Sequence, residues 1–434
     1  MLKIPSNAAA QVSIGVVAAG SQIVSIAFVY WLVKRELGVE NLGFWSLILS
    51  FASIVNFSGF GLGQSMVHFA QSVSVRLDAL ERYFRVAATL TLCGSLAIGA
   101  VIFWPARELI INLVSPQQAE QLNAVLPIML ISFCAAMLNR VTTFTLTGQG
   151  FFWVGQLAIL AGGLAYGLVT YLLVSDLGLV GVSYGHLAMT LVTLLLGWLG
   201  VLVIRIVQVR SYGLLIPFAI YRPEFKKMIS LGLSFQATSI LMLFLEPLAR
   251  TAIAYSGGLA LVGYYEMANR FVVSPRELIA RPTAYFSGRF ASLSHADPEA
   301  TRSLYKKMLK RFWLLGFGML LALAIFAVPV ADYWVQERHW FFFFSVMTLG
   351  VGWAFSVPAL IPWNWGVGVG NNRYNLYSVA IMVLISLIFS GLAIIFQSPL
   401  WVPIGVAGGI VLGQIYLIQW VSRLLHSRKR VSSL

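Results

Sequence analysis

Charge is what this sequence has least of. Only 10% of its 434 residues are Asp, Glu, Lys or Arg, against about 25% in a water-soluble domain. Cysteine is nearly missing too. Cys93 and Cys134 stand in apolar stretches with no partner motif, so neither a disulfide framework nor a thiolate metal site is expected, and both read as packing residues. The catalytic patterns HExxH, GxSxG and the Walker phosphate loop are absent. So is any segment long enough to hold a soluble catalytic domain. The longest polar connections, 205–227 and about 292–311, are far shorter than the smallest domain that folds alone. No catalytic residue, metal site or cofactor is therefore assigned, and the chain does not read as an enzyme.

What is there is apolar: 59% of the residues are hydrophobic. Runs long enough to span a bilayer, roughly 20 residues each, fall near 10–33, 42–71, 86–104, 124–147, 154–174, 180–204, 228–255, 260–291, 312–335, 341–369, 376–396 and 401–424. Their continuity means helices, because barrel strands would be shorter and alternating. The expectation is an all-α integral membrane protein with twelve transmembrane helices. The first run is too long for a signal h-region and reads as an uncleaved span.

The basic residues orient the chain. Of the 29 Lys and Arg, five fall inside the expected spans and away from their ends. With the N-terminus in the cytoplasm, the outer loops hold only four, Lys34, Arg35, Arg107 and Arg338, and the inner segments hold all the rest. That asymmetry puts both termini inside. The net charge of +14 is thus a topology signal plus attraction to anionic lipid. Nucleic acid is not expected as a partner, because the basic residues sit in short loops between spans.

An internal repeat appears at a constant offset, the one that carries Gly38 onto Gly258. Gly38 and Gly43 in "GVENLGFW" match Gly258 and Gly263 in "GLALVGYY"; Gly148 and Gly150 in "LTGQG" match Gly368 and Gly370 in "GVGVG". "GLVGVSYG" (178–185) and "PIGVAGG" (403–409) align at a slightly larger offset, as a small insertion allows. Six spans per repeat give parallel halves, a transporter plan with a central cavity between them. The expected division is an N-terminal half over 1–210, a cytoplasmic linker over 211–227 and a C-terminal half over 228–434.

Eight charges fall inside the expected spans and away from their ends: Arg140, Glu246, Arg250, Glu266, Arg270, Arg276, Glu277 and Arg281. A charge at the bilayer centre costs about 2.5–3.5 kcal/mol, so together they must face one another, water or a ligand. At 100° per residue Glu266, Arg270, Glu277 and Arg281 share one helix face, within about 60° of one another, and Ser274 joins them. Glu246–Arg250 and Glu266–Arg270 have the spacing of self-neutralising pairs one turn apart, and that reading stays open for each. The sum is not neutral, however. Five arginines against three glutamates leave two positive charges, which suits a multiply anionic ligand, phosphate above all.

Weaker polar features complete the candidate set. Gln11, Gln22 and Asn139 are candidate glycan contacts, with interhelical hydrogen bonding as the alternative. Trp363 and Trp365 are candidate sugar-stacking rings, with packing or membrane-belt roles as the alternative. His68 is a candidate carrier of a coupling proton or a structural histidine. His186 carries no expectation.

"LGVENLGFW" after span one, "ALVGYYEMANRF" after span seven, "LTGQGFFWVGQLAIL", "GLVGVSYGHLAM" and "RPTAYFSGRFASL" resemble the MOP exporter superfamily, and within it the polysaccharide-repeat flippases, including the Wzx O-antigen flippases. The resemblance covers nearly the whole chain; Leu42 departs from it where the family often has an aromatic. It implies a flippase that moves undecaprenyl-pyrophosphate-linked oligosaccharide across the bacterial inner membrane by alternating access. It also implies pyrophosphate binding at Arg140, Arg250, Arg270 and Arg281, and coupling to an H+ or Na+ gradient at Glu246 and Glu266, with Glu277 a further candidate. The implied partners are the polyprenyl-pyrophosphate glycan and membrane lipid, with other polysaccharide-assembly membrane proteins as candidates. The alternatives are an ion-coupled exporter of cationic drugs from the same superfamily and, behind it, a membrane glycan polymerase or ligase.

Overall fold

The computed structural model describes residues 8–59, 62, 66, 77–149, 151–209, 219–369 and 371–431. The chain is helical, and no strand occurs among the described residues. In chain order the helices are α1 (Ala8–Leu37), α2 (Val39–Ala52, continued by a 3-10 segment Ser53–Gly59), α3 (Leu77–Ile111), α4 (Pro116–Gly148), α5 (Phe152–Leu177), α6 (Leu179–Val209), α7 (Arg222–Gly257), α8 (Leu259–Ala296), α9 (Pro298–Val330, ending in a π turn Ala331–Val335), α10 (Trp340–Gly368), α11 (Arg373–Ile395) and α12 (Trp401–Val431). Among the described residues eight of them, α3 to α6 and α9 to α12, are long and apolar enough to cross a bilayer. The all-α, multi-pass membrane architecture expected from the apolar runs is the one observed.

Two compact units divide the chain, Met1–Leu243 and Phe244–Leu434. The boundary falls within α7, just before Pro247. In the first unit α5 packs along α6, α6 along α4, and α1 along α5. Its described core gathers Leu80, Phe84, Ala87, Val141, Leu146 and Ile204 from α3, α4 and α6. In the second unit α11 packs along α12, and α10 lies against α8, α9 and α12.

Helix contacts in both units are made through small residues, as expected where packing rather than hydrophobicity draws helices together. A Cβ on Gly181 would lie 2.4 Å from the Leu173 carbonyl oxygen, and one on Gly405 would lie 2.2 Å from the Phe389 Cβ. These are the glycines that align in the late part of the repeat.

The repeat is visible in the backbone itself. Gly38 separates α1 from α2 with φ +89°, and Gly258 separates α7 from α8 with φ +81°. Both adopt a conformation that a side chain disfavours. The ends of α4 and α10 are also alike. Gln149 N–H donates to the Thr145 carbonyl (3.1 Å) and Phe151 N–H to that of Leu146 (2.8 Å). At the equivalent positions of the second repeat, Val369 N–H donates to the Trp365 carbonyl (3.0 Å) and Asn371 N–H to that of Gly366 (2.8 Å).

One connection differs from expectation. Residues 292–311 are not a loop: α8 runs to Ala296 and α9 begins at Pro298. Asp297 lies between them, its carboxylate accepting from Ala300 N–H at 2.8 Å. A carboxylate cap followed by proline at the first helical position is a strong start signal. Lys306, Lys307, Lys310 and Arg311 therefore ride on a helical extension.

Candidate functional site in the charged helices

α7 and α8 carry most of the charge inside the apolar part of the chain. α8 stays helical through Pro275 and Pro282. The single-residue turn at Gly258 folds the two helices back on each other, which brings Arg250 of α7 against Glu266 of α8.

At the centre is Glu266, fully buried. It accepts from Arg250 at Oε2 (Nε 3.0 Å, Nη2 2.5 Å) and from Arg270 Nε at Oε1 (2.8 Å). Arg250 donates through its remaining terminal nitrogen, Nη1, to Glu246 Oε2 at 2.9 Å. The result is a chain of alternating charge, Glu246–Arg250–Glu266–Arg270, with zero net charge. Both spacings read as pairs one turn apart are paired; the bond that joins the two pairs crosses between helices.

Access divides the four sharply. The Arg250 and Glu266 side chains are 2% and 0% accessible, while Glu246 is 50% and Arg270 33% accessible. The interior pair is closed to a ligand, so Arg250 acts by holding Glu266. The two ends of the chain are open. An open charge is costly against hydrocarbon, so ends placed like these are suited to water or a polar ligand.

Arg276 points away from this cluster, as expected from its helical position. It lies over the Trp353 ring of α10 (5.2 Å to the centroid), donates to Ser356 Oγ at 3.4 Å and pairs with Glu277. A cation–π contact and a carboxylate together neutralise it. Its partner Glu277 keeps 40% of its side chain accessible. Arg281 lies on α8, but its side chain is outside the described residues.

Arg140 sits on α4, in the first unit. It is exposed, and among the described residues no hydrogen bond or ion pair holds it. The adjacent Asn139 turns the other way, toward Gly197 of α6, and its Oδ1 accepts from Thr142 and Thr143 hydroxyls at 3.3 and 3.5 Å. With Glu246, Glu266 and Glu277 each paired, Arg140 is left without a partner among the described residues.

The remaining candidates are scattered. Trp365 is buried, and its indole Nε1 has no partner among the described residues; the ring is packed in α10. Trp363 is half-buried and uses its carbonyl to accept from Asn375. Gln22 lies on α1 beside Gly163 of α5. The Gln11 side chain and His68 lie outside the described residues.

His186, which carried no expectation, is a buried hub of the first unit. Its Nδ1 is 2.6 Å from Ser132 Oγ, which also meets Thr190 Oγ1 at 3.1 Å. The rings of Trp45, Phe133 and Tyr166 surround the imidazole. No group of metal-ligating side chains occurs among the described residues.

A sequence family described as "Polysaccharide biosynthesis protein" matches residues 32–338. The chain belongs to that family. Among curated proteins no sequence matches. Solved structures give the fold of this family member independently. It is similar to an inward-facing multidrug resistance MATE family transporter of the MOP superfamily, with a TM-score of 0.77 at 17% identity over 95% of this chain and 96% of that one. It is similar to the lipid II flippase MurJ in its inward closed conformation, with a TM-score of 0.68 at 15% identity over 93% and 86% of the two chains. A MOP superfamily transporter from Pyrococcus furiosus, whose binding pocket is described as having reverse polarity, gives 0.67 at 17% identity over 96% of both. The polysaccharide-biosynthesis chain therefore has the fold of MOP superfamily transporters and flippases.

Proposed function

We propose that this protein is a flippase for undecaprenyl-pyrophosphate-linked oligosaccharide, moving it from the inner to the outer leaflet of the bacterial cytoplasmic membrane by alternating access, with both termini in the cytoplasm. The observation that carries this reading is Arg140: an arginine accessible within an apolar helix, its side chain held by no partner among the described residues. A group so placed gains most from a bound anion, and its planar fork suits a phosphate's paired oxygens. Within the second unit, Arg270, a third accessible, is a phosphate-facing candidate in its own right. Arg250 positions Glu266 and, through it, Arg270. Glu246 presents the accessible carboxylate of the network and is the place for exchange of a coupling H+ or Na+. Membership of a polysaccharide-biosynthesis family and the shared fold with a lipid II flippase support the same reading.

The test is binding of a polyprenyl-pyrophosphate oligosaccharide to the purified protein in proteoliposomes, for wild type and Arg140→Ala. Loss of one charge-assisted phosphate contact costs about 1.5–3 kcal/mol, roughly 10- to 150-fold in affinity. A folded Arg140→Ala variant that binds as wild type removes Arg140 from the site. A wild type that ignores the lipid but exports organic cations replaces the proposal with the drug-exporter alternative.

A further inference from the structure

A groove of about 660 Å³ runs between α8 and α9 in the second unit. Phe271, Pro275 and Leu278 of α8 form one wall, Phe326 of α9 stands on the other, and Gly318 and Ala322 lie one helical turn apart along its floor. No polar side chain lines it among the described residues. Its rim is open, with Leu278, Leu314 and Phe326 exposed. Along α9 the lining extends from Leu314 to Val330. That is about 24 Å at the helical rise, most of the roughly 30 Å hydrocarbon thickness.

The groove's position on α8 gives it a ligand class. At 100° per residue, Phe271, Pro275, Leu278 and Ile279 lie about 80–180° around the helix from Arg270. Glu266, Arg270, Ser274 and Glu277 occupy the adjoining face. One helix thus carries a charged stripe and an apolar trough side by side, and the trough begins at the residue after Arg270. A molecule with an anionic head and a long apolar tail spans that edge without burying charge in hydrocarbon.

We propose that this groove holds the polyprenyl chain of the lipid-linked substrate while its pyrophosphate meets Arg270. The inference rests on the flippase reading and adds a tail site to it. Bulk lipid is as apolar as the tail, so hydrophobicity does not select between them. Shape and linkage do. A floor of glycine and alanine between aromatic flanks has room for a chain with a methyl branch on every isoprene unit. A head group already at Arg270 also raises the effective concentration of its own tail beside the groove.

Gly318 offers a clean test. A Cβ placed there meets no atom within 4 Å, and the same holds for Gly391 on α11. Leucine at 318 fills the groove floor without displacing protein, and leucine at 391 is the matched control. The full-length protein in lipid nanodiscs is titrated with an undecaprenyl-pyrophosphate oligosaccharide and with geranyl pyrophosphate, whose tail is too short to follow the groove. Gly318→Leu is expected to weaken the long-tailed ligand about tenfold and leave geranyl pyrophosphate unchanged, with Gly391→Leu matching wild type for both. If Gly318→Leu binds the long-tailed ligand as wild type does, or weakens both ligands equally, the tail site is wrong and the flippase reading stands. If wild type binds neither ligand, the flippase reading falls and takes the tail site with it.

Discussion

At the residue scale the instructive pair is Arg250 and Glu266. Each is almost wholly removed from solvent, and two donors of the arginine hold the carboxylate. Breaking such a pair by deleting one partner leaves an uncompensated buried charge and costs about 3–5 kcal/mol, whereas replacing both partners is often nearly neutral. Glu266→Gln is therefore expected to lower the thermal unfolding midpoint markedly, and Arg250→Met added to it should restore most of the loss. A Glu266→Gln variant as stable as wild type would show that the pair is not holding α7 to α8. Sequence spacing alone offers the Glu246–Arg250 and Glu266–Arg270 pairs, because residues one helical turn apart face the same way, and the structure makes both. The Arg250–Glu266 bond was not legible, since it depends on how two helices fold back at Gly258. The hub at His186 was hidden for a similar reason: Ser132, Trp45 and Tyr166 come from three other helices.

At the element scale the start of α10 is held by a histidine. His339 Nδ1 accepts from Phe341 N–H at 3.2 Å, and the ring stacks on Tyr264 with centroids 4.0 Å apart. Burial lowers the His339 pKa below the ordinary imidazole value of about 6.5, and the Glu337 carboxylate opposes that shift. A depressed imidazole pKa means that the folded state binds the proton less readily than the unfolded chain. The contribution to stability is then complete above the ordinary pKa and is lost as the pH falls through the depressed one. Protonated Nδ1 also has no lone pair for the cap. Amide hydrogen exchange at Phe341 and its neighbours, corrected for intrinsic rate, should be faster at pH 5 than at pH 8, and the difference should vanish in His339→Asn. Equal protection at both values would exclude the device. Helix positions were largely legible at this scale, because apolar runs of membrane length leave few alternatives. The exception was 292–311, read as a loop on its charge although Asp297-Pro298 marks a helix start. The groove beside α9 was invisible for another reason: its lining residues are apolar, as is most of the chain, and only the juxtaposition of two helices makes a trough of them.

At the scale of the whole molecule, the internal repeat is a structural equivalence between single backbone positions. Gly38 and Gly258 share a left-handed φ, and in both cases an added Cβ would meet nothing within 4 Å. The cost of a side chain at either is thus conformational alone, about 1–3 kcal/mol, and Gly38, at φ 89° and ψ 167°, lies in a region that is almost exclusively glycine's. Gly38→Ala and Gly258→Ala should lower the unfolding midpoint by similar amounts, and the double variant by their sum. A large effect at one site and none at the other would mean that the turns are not equivalent. Glycine spacing makes this repeat readable in the sequence, because glycine is the residue that such turns demand.

The turn at Gly258 also bears on how the protein is made. α7 and α8 each carry two charges of the network, and a charge carried into a bilayer is costly for either helix by itself. Arg250 leaves the ribosome only shortly ahead of Glu266, with one glycine turning the chain between their helices. The two segments are suited to enter the membrane together as a hairpin, so that the charge that must be neutralised and the charge that neutralises it arrive as one unit of biogenesis.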